Sequence, residues 1–344
     1  MTRKSSSVTI RDVARHAGVS VATISRYMNR NAPVSQEAGE RISQVMMDLN
    51  YTPHAAARHL ATRRTQTIGI VVHNIHTDFF PPLLSGVEQV VSENQYNLLV
   101  ATYKASETKN QPPLGPHNTD GMLVFADCLS DEQLTQMCII KFPLVLLYRT
   151  PPPYLKIPFI TIENKAATCK LIDHLIEAHD RRSIVFLRGP RGQEDSNWRE
   201  QGYISSLEAH GIPVRSDLML DGEFRGPSAY LSIKNLIAKN KSCFDAVFAG
   251  NDDAAMGVLT ALQEAGLRVP EDVSVVGFDD SRLTPFLNPP MTTVRAPTDE
   301  VGRVATRQLF NLLQEIPVEQ EILLPTEIIL RRSCGCVHEL VPAL

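Results

Sequence analysis

The spacing of apolar residues divides the chain into two parts. Over residues 10–50, apolar side chains recur at intervals of three and four, which predicts three amphipathic helices that each bury one face. Gly18 is expected to end the first helix, since glycine accepts a left-handed backbone at low cost. Ser20 then caps a second helix, Val21 to Asn29, and a third opens near Ser35 and runs to about Asn50. Short helices around a glycine turn are typical of a helix-turn-helix, whose second helix lies in the major groove of DNA.

From Thr67 onward the pattern changes to short, continuous apolar runs that alternate with amphipathic helices. The runs are TIGIVV, YNLLVAT, GMLVFA, PLVLLY, FITIE, SIVFLRG, AVFAG and VSVVGFDD, and the helices cover 83–94, 166–178, 198–210 and 254–265. Such strands indicate parallel sheets that are covered on both faces. Their recurrence predicts two similar lobes, with a ligand between them at the carboxyl ends of the strands. The predicted fold class is therefore α/β, a three-helix unit followed by a two-lobed domain with doubly wound parallel sheets.

Charge is distributed unevenly along the chain. The 344 residues carry a net charge of −4, but residues 1–64 hold ten Lys and Arg against four acids, so this part is +6 and the remaining 280 residues are −10. A basic module on an acidic body favours a polyanionic partner for the module, the alternative being a solvated basic face. No apolar run reaches the roughly 18 residues that span a bilayer. No hydrophobic stretch follows Arg3 and Lys4 to form a secretory signal, so we expect a cytoplasmic protein without a membrane partner.

Candidate chemistry outside these two patterns is sparse. The six cysteines are scattered through apolar segments, as expected of reduced, mostly buried thiols. Cys334 and Cys336, with His338 nearby, suggest half of a metal site, but their spacing is tighter than Cys-x2-Cys and no second cluster is visible. Neither a metal nor a cofactor is therefore predicted. The GxGxxG, P-loop and GxSxG motifs of doubly wound enzymes are missing from the sequence, and no enzymatic activity is predicted.

The strings DVARHAGVSVATISRYMN, NYTP and AAARHLA resemble the lactose/galactose repressor (LacI/GalR) family of bacterial transcriptional regulators, and the resemblance extends to the C-terminus. It implies that Val21 and Ala22, the first two residues after the N-cap of the second helix, contact base edges, for example thymine methyl groups. Arg26 is the side chain best placed for a bidentate contact with guanine. The residues expected to hold phosphates, and so to fix the register without reading sequence, are Ser20, Thr23, Ser25 and Asn29.

Residues 53–65 are predicted to form a hinge. A proline followed by three alanines favours a short helix, but a helix of this length is marginal alone in water. The resemblance implies that two such helices from a homodimer pair in the minor groove of a pseudo-palindromic operator. Leu60 then matches a leucine that wedges between base pairs, and Ala57 matches an alanine in close contact with the groove. The arginines expected to add phosphate contacts are Arg58, Arg63 and Arg64. A plain linker is the alternative, and a tetramer is an alternative to the dimer.

The resemblance also implies an effector-binding domain of the periplasmic-binding-protein type. Residues 1–52 would be the DNA-binding domain and 66–344 the effector domain, with lobe 1 at about 66–163 and 293–325 and lobe 2 at about 164–292 and 326–338. The side chains expected to contact the effector are Phe79, Tyr148, Trp198, Arg199, Phe224, Asn251 and Asp279. Charged, amide and aromatic groups together suit a polyhydroxylated ligand such as a sugar or sugar derivative. A purine or nucleoside is the alternative ligand, and a cap or turn is the alternative role of Asp279–Asp280.

Two departures from the family pattern affect this interpretation. Many relatives have an acid after the strand PLVLL, where this chain has Tyr148 and Arg149, so the set of hydroxyl groups that can be held differs. Relatives also have an amphipathic helix that helps form the dimer, whereas the segment 112–116 contains three prolines and a glycine that forbid a regular helix.

A DNA-reading module joined to a ligand-binding body predicts a transcriptional regulator, and repression is the commoner outcome in the family. Effector binding is expected to rotate the two lobes and to alter the spacing of the paired hinges, which changes operator affinity. A sugar-binding transport protein would account for residues 67–330, but it needs a signal peptide and leaves the N-terminal module unexplained.

Overall fold

The structure of the chain is a computed structural model that describes residues 8–29, 32–51, 64–107, 111–240 and 243–337. Contacts divide the chain into two compact units, Met1–Thr65 and Gln66–Leu344. The predicted hinge residues Ala57, Arg58 and Leu60 lie outside the described residues.

The first unit contains three helices, α1 (Ile10–Ala17), α2 (Val21–Asn29) and α3 (Gln36–Asp48). Thr9 caps α1 in a capping box with Asp12, whose carboxylate accepts a hydrogen bond from the Thr9 amide at 3.0 Å. Gly18, with a φ of 64°, ends α1, as the sequence predicted. The amide of Thr23 donates to Ser20 Oγ at 3.1 Å, which confirms Ser20 as the N-cap of α2.

A small hydrophobic core joins these three helices. Its buried members come from all three: Val13, Ala14, Ala17, Ile24 and Ile42. Val19 and Met28 pack against this core from the side, in agreement with the predicted inner face of α2. The polar face of α2 is left on the outside of the unit.

The second unit alternates strands and helices. In chain order they are β1 (Thr67–Val72), α4 (Phe80–Glu93), β2 (Asn97–Thr102), β3 (Gly121–Phe125), α5 (Asp131–Ile139), β4 (Leu144–Leu147), β5 (Phe159–Ile162), α6 (Lys165–His179), β6 (Ile184–Arg188), α7 (Glu194–Ala209), β7 (Met219–Asp221), α8 (Gly226–Lys239), β8 (Ala246–Ala249), α9 (Asp252–Glu264), β9 (Ser274–Val276), β10 (Thr293–Arg295), α10 (Thr298–Leu313), β11 (Glu321–Leu324) and β12 (Glu327–Ile329).

Two parallel sheets form the frameworks of the two lobes. The first has the strand order β11-β5-β4-β3-β1-β2 and the second the order β7-β6-β8-β9, and every pair within them is parallel. The central strands β3, β4 and β8 are buried along their whole length, as continuous apolar runs require. The antiparallel pair β10–β12 forms a separate two-stranded sheet. The predicted α/β class and the parallel sheets are confirmed.

The proline-containing segment lies between β2 and β3. Its described residues, 103–107 and 111–120, form turns and bends rather than a helix, as the prolines predicted. Across the described ranges, no helix combines the length and the apolar character needed to cross a membrane.

Candidate nucleic-acid interface and effector cavity

The outer face of α2 presents the side chains predicted to reach DNA. Val21 is 41% exposed, whereas Ile24 on the inner face is fully buried. The other exposed members of the predicted set are Ser20, Ala22 and Arg26, and the partly buried ones are Thr23 and Ser25. The helix ends at Asn29, whose side chain lies outside the described part of the chain.

The arrangement on α2 suits close approach to a base pair. Ala22 and Arg26 are four residues apart and therefore share one face of the helix. Val21 and Ala22, at the start of α2, have short side chains that allow the helix to approach the base pairs in a groove. Arg26 is the exposed cation one turn later. Ser20 Oγ and Thr23 Oγ1 lie 2.9 Å apart at the N-terminus of the helix, where hydroxyl groups and amides favour a phosphate.

A cavity of about 940 Å³ opens at the carboxyl ends of the strands in the second unit. Its lining includes five of the predicted effector contacts, Phe79, Arg199, Phe224, Asn251 and Asp279. Its size is within the range of small-molecule sites. The two walls differ in character, because lobe 1 supplies aromatic rings and lobe 2 supplies buried charges.

Arg199 is the centre of the lobe 2 wall. It is only 3% exposed, and its Nε donates to Asn164 Oδ1 at 2.8 Å while its Nη1 donates to the carbonyl of Gly250 at 2.6 Å. Its Nη2 lies 3.8 Å from Asp279 Oδ1, and its Cζ lies 3.6 Å from the centroid of the Phe278 ring. These contacts fix the guanidinium plane and leave it beside a carboxylate at the cavity surface.

Two carboxyl groups beside Arg199 have pKa values raised above the usual range of aspartate. Burial raises the pKa of Asp279 to about 7, with Arg199 opposing the rise and the carboxyl of Asp195 adding to it. Burial also raises the pKa of Asp195 to about 6, against the opposing effects of Arg199 and a 2.9 Å hydrogen bond from Asn164. A carboxyl group near its pKa both donates and accepts hydrogen bonds, as does a sugar hydroxyl.

Asp252 joins the loops that surround the polar wall. Its Oδ1 accepts from Thr293 Oγ1 at 2.7 Å and its Oδ2 accepts from the amide of Ser281 at 2.7 Å. Burial, together with the nearby charge of Asp279, raises the pKa of Asp252 well above its usual value. Asp252 therefore lines the cavity and also connects two loops beside it.

The adjacent residues Asp279 and Asp280 have different roles. Both have positive φ angles, 111° and 55°, which aspartate tolerates better than most residues. Asp280 accepts from Arg331 Nη2 at 2.7 Å and from Arg295 Nε at 2.8 Å, so its carboxylate anchors the turn. The structural alternative considered for the pair therefore applies to Asp280, while Asp279 faces Arg199 at the cavity.

Phe224 is seated on two glycines. A Cβ at Gly189 would lie 2.2 Å from Phe224 Cζ, and one at Gly250 would lie 2.9 Å from Phe224 Cε1. The ring therefore packs directly on backbone, which holds it in place at the cavity edge. Asn251 also has a structural task, since its Oδ1 accepts from the amide of Ala254 at 3.0 Å as the N-cap of α9 and its Nδ2 donates to the carbonyl of Phe224 at 3.3 Å.

The lobe 1 wall is an aromatic cluster. Phe79 contacts the rings of Phe80, Phe125 and Tyr148 at centroid distances of 5.3 to 5.6 Å. Such edge-to-face contacts fix the orientation of the exposed ring. Tyr148, by contrast, is almost fully buried behind Phe79 and Phe125 and is not among the described residues that line the cavity. The structure does not place Tyr148 at the cavity surface, where the sequence analysis put it.

Trp198 is likewise not brought to the cavity. It is 41% exposed, and its Nε1 donates to Glu194 Oε1 at 3.2 Å. The physical reason is helical geometry: Trp198 precedes Arg199 by one residue, and one step along a helix turns the side chain by about 100°. Arg149, the other departure from the family pattern, donates to the carbonyl of Leu129 at 2.6 Å and pairs with Asp131, away from the cavity.

Three residues of the lobe 2 wall were not predicted from the sequence. Asp195 and Asp252 line the cavity, and Asn164 connects Arg199 to Asp195. Asp252 directly follows Asn251, and Asp195 lies in the segment after the strand SIVFLRG. Both therefore follow a strand, where ligand contacts are expected. Asn164 gave no such signal, because it precedes a helix and reaches Arg199 only through the tertiary fold.

Comparisons with known proteins agree with both units. Residues 9–54 match the family described as bacterial regulatory proteins, lacI family, and residues 172–334 match the periplasmic binding protein-like domain. The chain is 31% identical over 332 residues to the probable HTH-type transcriptional repressor ExuR of Bacillus subtilis, covering 95% of this chain and 98% of the relative. It is 30% identical over 334 residues to the ribose operon repressor of Escherichia coli, covering 94% and 99%.

Solved structures give the same result. The transcriptional regulator CelR in complex with cellobiose has a TM-score of 0.69 and 28% identity, over 95% of this chain and 99% of that one. The Lac repressor dimer bound to operator and an anti-inducer has a TM-score of 0.80 over 96% and 99%, and its 24% identity supports the fold alone. From the helix-turn-helix, the two-lobed fold and these relatives, the chain belongs to the lacI family of bacterial regulatory proteins.

Proposed function

We propose that this chain is a cytoplasmic transcriptional repressor that binds a pseudo-palindromic operator as a homodimer. Its operator affinity changes when a sugar or sugar derivative occupies the cavity. The observation that supports the effector assignment is the pair Arg199–Asp279. It lies at the carboxyl ends of the parallel strands, beside the ring of Phe224 that packs on glycine backbone. No enzymatic role is proposed for this site.

The chemistry of the polar wall argues for a polyhydroxylated ligand. Asp195 and Asp279 lie beside the buried guanidinium of Arg199, and Asp252 lines the same cavity. Carboxyl groups with raised pKa values both donate to and accept from hydroxyl groups, and the guanidinium donates to them. The aromatic wall at Phe79 supplies the apolar surface on which the face of a sugar ring packs.

DNA recognition is assigned to α2 and to the hinge. Val21, Ala22 and Arg26 are proposed to contact base edges, with Ser20 and Thr23 on phosphates. The further proposed contacts are Ser25, Asn29, Ala57, Arg58 and Leu60. The net charge of +6 on residues 1–64 supports this assignment, because basic side chains that bind phosphates release counterions from the DNA.

Two binding measurements test the proposal. Thermal shifts of the full-length protein should increase with one or a few members of a panel of pentoses, hexoses and disaccharides, since a ligand that binds the folded state stabilises it by mass action. Hexuronates are included as sugar derivatives, and nucleosides serve as the competing class. The protein should also bind a palindromic promoter fragment from its own locus with steep salt dependence.

The outcomes separate the alternatives. Stabilisation by nucleosides alone would overturn the sugar assignment while leaving the regulator intact. Salt-independent binding, or equal binding to unrelated DNA, would overturn the operator-binding role.

A further inference from the structure

Four side chains of metal-binding types lie close together near the end of α6. They come from two segments that are far apart in the sequence. They are His174 and His179 of α6 and Cys334 and Cys336 of the C-terminal segment, and their ligand atoms all lie within 4.8 Å of one another. Because about 160 residues separate the two pairs, their proximity is not visible in the sequence. The expectation that no second pair of ligands accompanies Cys334 and Cys336 is therefore wrong.

Four of the six distances between the ligand atoms match the edges of a tetrahedron around a zinc ion. The two Nε2 atoms are 3.2 Å apart. Cys336 Sγ lies 3.4 Å from His174 Nε2 and 3.5 Å from His179 Nε2, and Cys334 Sγ lies 3.7 Å from His174 Nε2. Zinc bonds of about 2.0 Å to nitrogen and about 2.3 Å to sulfur give tetrahedral edges of about 3.3 Å for nitrogen pairs and about 3.6 Å for nitrogen–sulfur pairs.

We propose that His174, His179, Cys334 and Cys336 form a structural zinc site. Two thiolates and two neutral imidazoles balance the charge of the ion, and four protein ligands in a tetrahedron are typical of closed, structural sites. Thiolate and imidazole ligands favour zinc over magnesium or calcium.

The backbone around the cysteines is built to hold them in this position. Cys334 is fully buried, and its carbonyl accepts from Ser274 Oγ at 2.8 Å. The neighbouring Ser333 donates through Oγ to the carbonyl of Val275 at 2.5 Å. Thr292 Oγ1 lies 3.1 Å from Cys334 Sγ, where a hydroxyl can donate to a thiolate. One ligand is thus fixed to β9 and β10 before any ion binds.

Gly335, between the two cysteines, is required by the same geometry. Its φ is 115°, a conformation that favours glycine. A Cβ at this position would also lie 2.8 Å from His179 Nδ1, so the close approach leaves no room for a side chain. The ring of His179 consequently turns its Nε2 towards Cys336.

The zinc ion would clamp the C-terminal segment to α6. The segment includes Arg331, whose guanidinium anchors Asp280 beneath the cavity. Metal binding at such a site contributes directly to folding free energy, because the ligands are not assembled in the unfolded chain.

Metal content and cobalt spectroscopy test the site. The full-length protein, purified under reducing conditions without chelators, should contain about one zinc per chain. Replacement by Co²⁺ should give the intense visible bands of tetrahedral cobalt and a thiolate charge-transfer band, and a strong chelator should lower the melting temperature. These measurements use the unaltered chain and do not depend on the folding of a variant.

Variants identify the ligands. Cys336→Ser and His174→Gln should reduce the zinc content to below about a tenth of the wild-type value. Cys243→Ser and His210→Gln, at a partly buried thiol and an imidazole outside the cluster, are the matched controls and should retain it. Folded, reduced wild-type protein that takes up neither zinc nor cobalt would overturn the proposal. So would a Cys334–Cys336 disulfide in the freshly purified protein, or full zinc content in both ligand variants.

Discussion

The helix-turn-helix and the effector cavity both present polar groups to a ligand, but they hold those groups in opposite ways. On α2, Arg26 is exposed and the helix positions it through its backbone alone. In the cavity, Arg199 is almost fully buried and is fixed by Asn164, the carbonyl of Gly250 and two aromatic rings.

This difference predicts how each site responds to the replacement of a side chain. A DNA-reading side chain contributes little to the stability of the free protein, so its replacement changes binding alone. A cavity residue is already part of a buried network, so its replacement changes stability and ligand binding together.

Arg199→Lys is expected to lower the free energy of unfolding by about 3–5 kcal/mol, because an ammonium cannot reproduce the guanidinium contacts and leaves buried acids without their partner. Urea unfolding measures the change. Arg191→Lys is the matched control, since Arg191 forms an exposed pair with Asp221 and should change stability by less than about 0.5 kcal/mol. Equal stability of the two variants would contradict the account of the polar wall.

Arg26→Ala should leave unfolding nearly unchanged but reduce discrimination between operator and mutated operator by about 1–3 kcal/mol, because it removes one base contact. Fluorescence anisotropy with the two DNA fragments at fixed salt measures it. Arg15→Ala, at an exposed arginine paired with Asp12, is the control and should weaken both complexes equally. If Arg26→Ala also weakened both fragments equally, Arg26 would be a phosphate contact.

Asp279→Asn should change the pH dependence of stability. In the folded chain Asp279 keeps its proton up to about pH 7, while an unfolded aspartate loses it near pH 4. Between these values unfolding releases a proton, so the wild-type free energy of unfolding falls with rising pH by up to about 1.4 kcal/mol per unit relative to the variant. Urea unfolding of both proteins at pH 5, 6, 7 and 8, with pH 5 as the reference, should show the difference growing until about pH 7 and then levelling off.

Asparagine is a suitable replacement here because it tolerates the positive φ of Asp279. Asp180→Asn, at an exposed position whose φ is also positive, controls for the amide substitution in that backbone. A difference between wild type and Asp279→Asn that is constant across the pH series would show that Asp279 is ionised throughout.

Gly189→Ala should displace the ring of Phe224, since the new Cβ would lie 2.2 Å from Phe224 Cζ. The affinity for the stabilising sugar is expected to fall about fivefold or more, about 1 kcal/mol, with operator binding unchanged. Isothermal titration measures the affinity. Gly115→Ala, where the nearest atom to a new Cβ is a methionine methyl at 3.5 Å, is the control. Unaltered affinity in Gly189→Ala would remove Phe224 from the binding surface.

The same contrast explains how much could be predicted from sequence. The helix-turn-helix depends on local signals, such as the Gly18 turn and the Ser20 cap, and the structure confirms both. The parallel sheets followed from the apolar runs. Helices α5, α8 and α10 were missed, and α10 in particular packs closely on α4, so its amphipathic pattern becomes meaningful only once the fold is known.

The candidate site could be predicted only in part for a related reason. Loop position after a strand placed Arg199 and Asp279 correctly at the cavity, but it does not fix the direction of a side chain. Trp198 and Tyr148 are therefore not among the residues that line the cavity, the first because of helical rotation and the second because it is buried behind Phe125. The four-residue cluster at Cys334 lay beyond sequence reasoning altogether, because its two halves meet only in three dimensions.

The most direct test measures operator affinity with and without the stabilising sugar, in the wild-type protein and in Asp279→Asn. The sugar is expected to change wild-type affinity about 5- to 150-fold, the range of a coupling free energy of about 1–3 kcal/mol. In Asp279→Asn the affinity without sugar should be the same as in wild type, and the sugar should change it less than about twofold. An equal response of both proteins, or loss of operator binding in the variant without sugar, would contradict the assignment of the cavity as the controlling site.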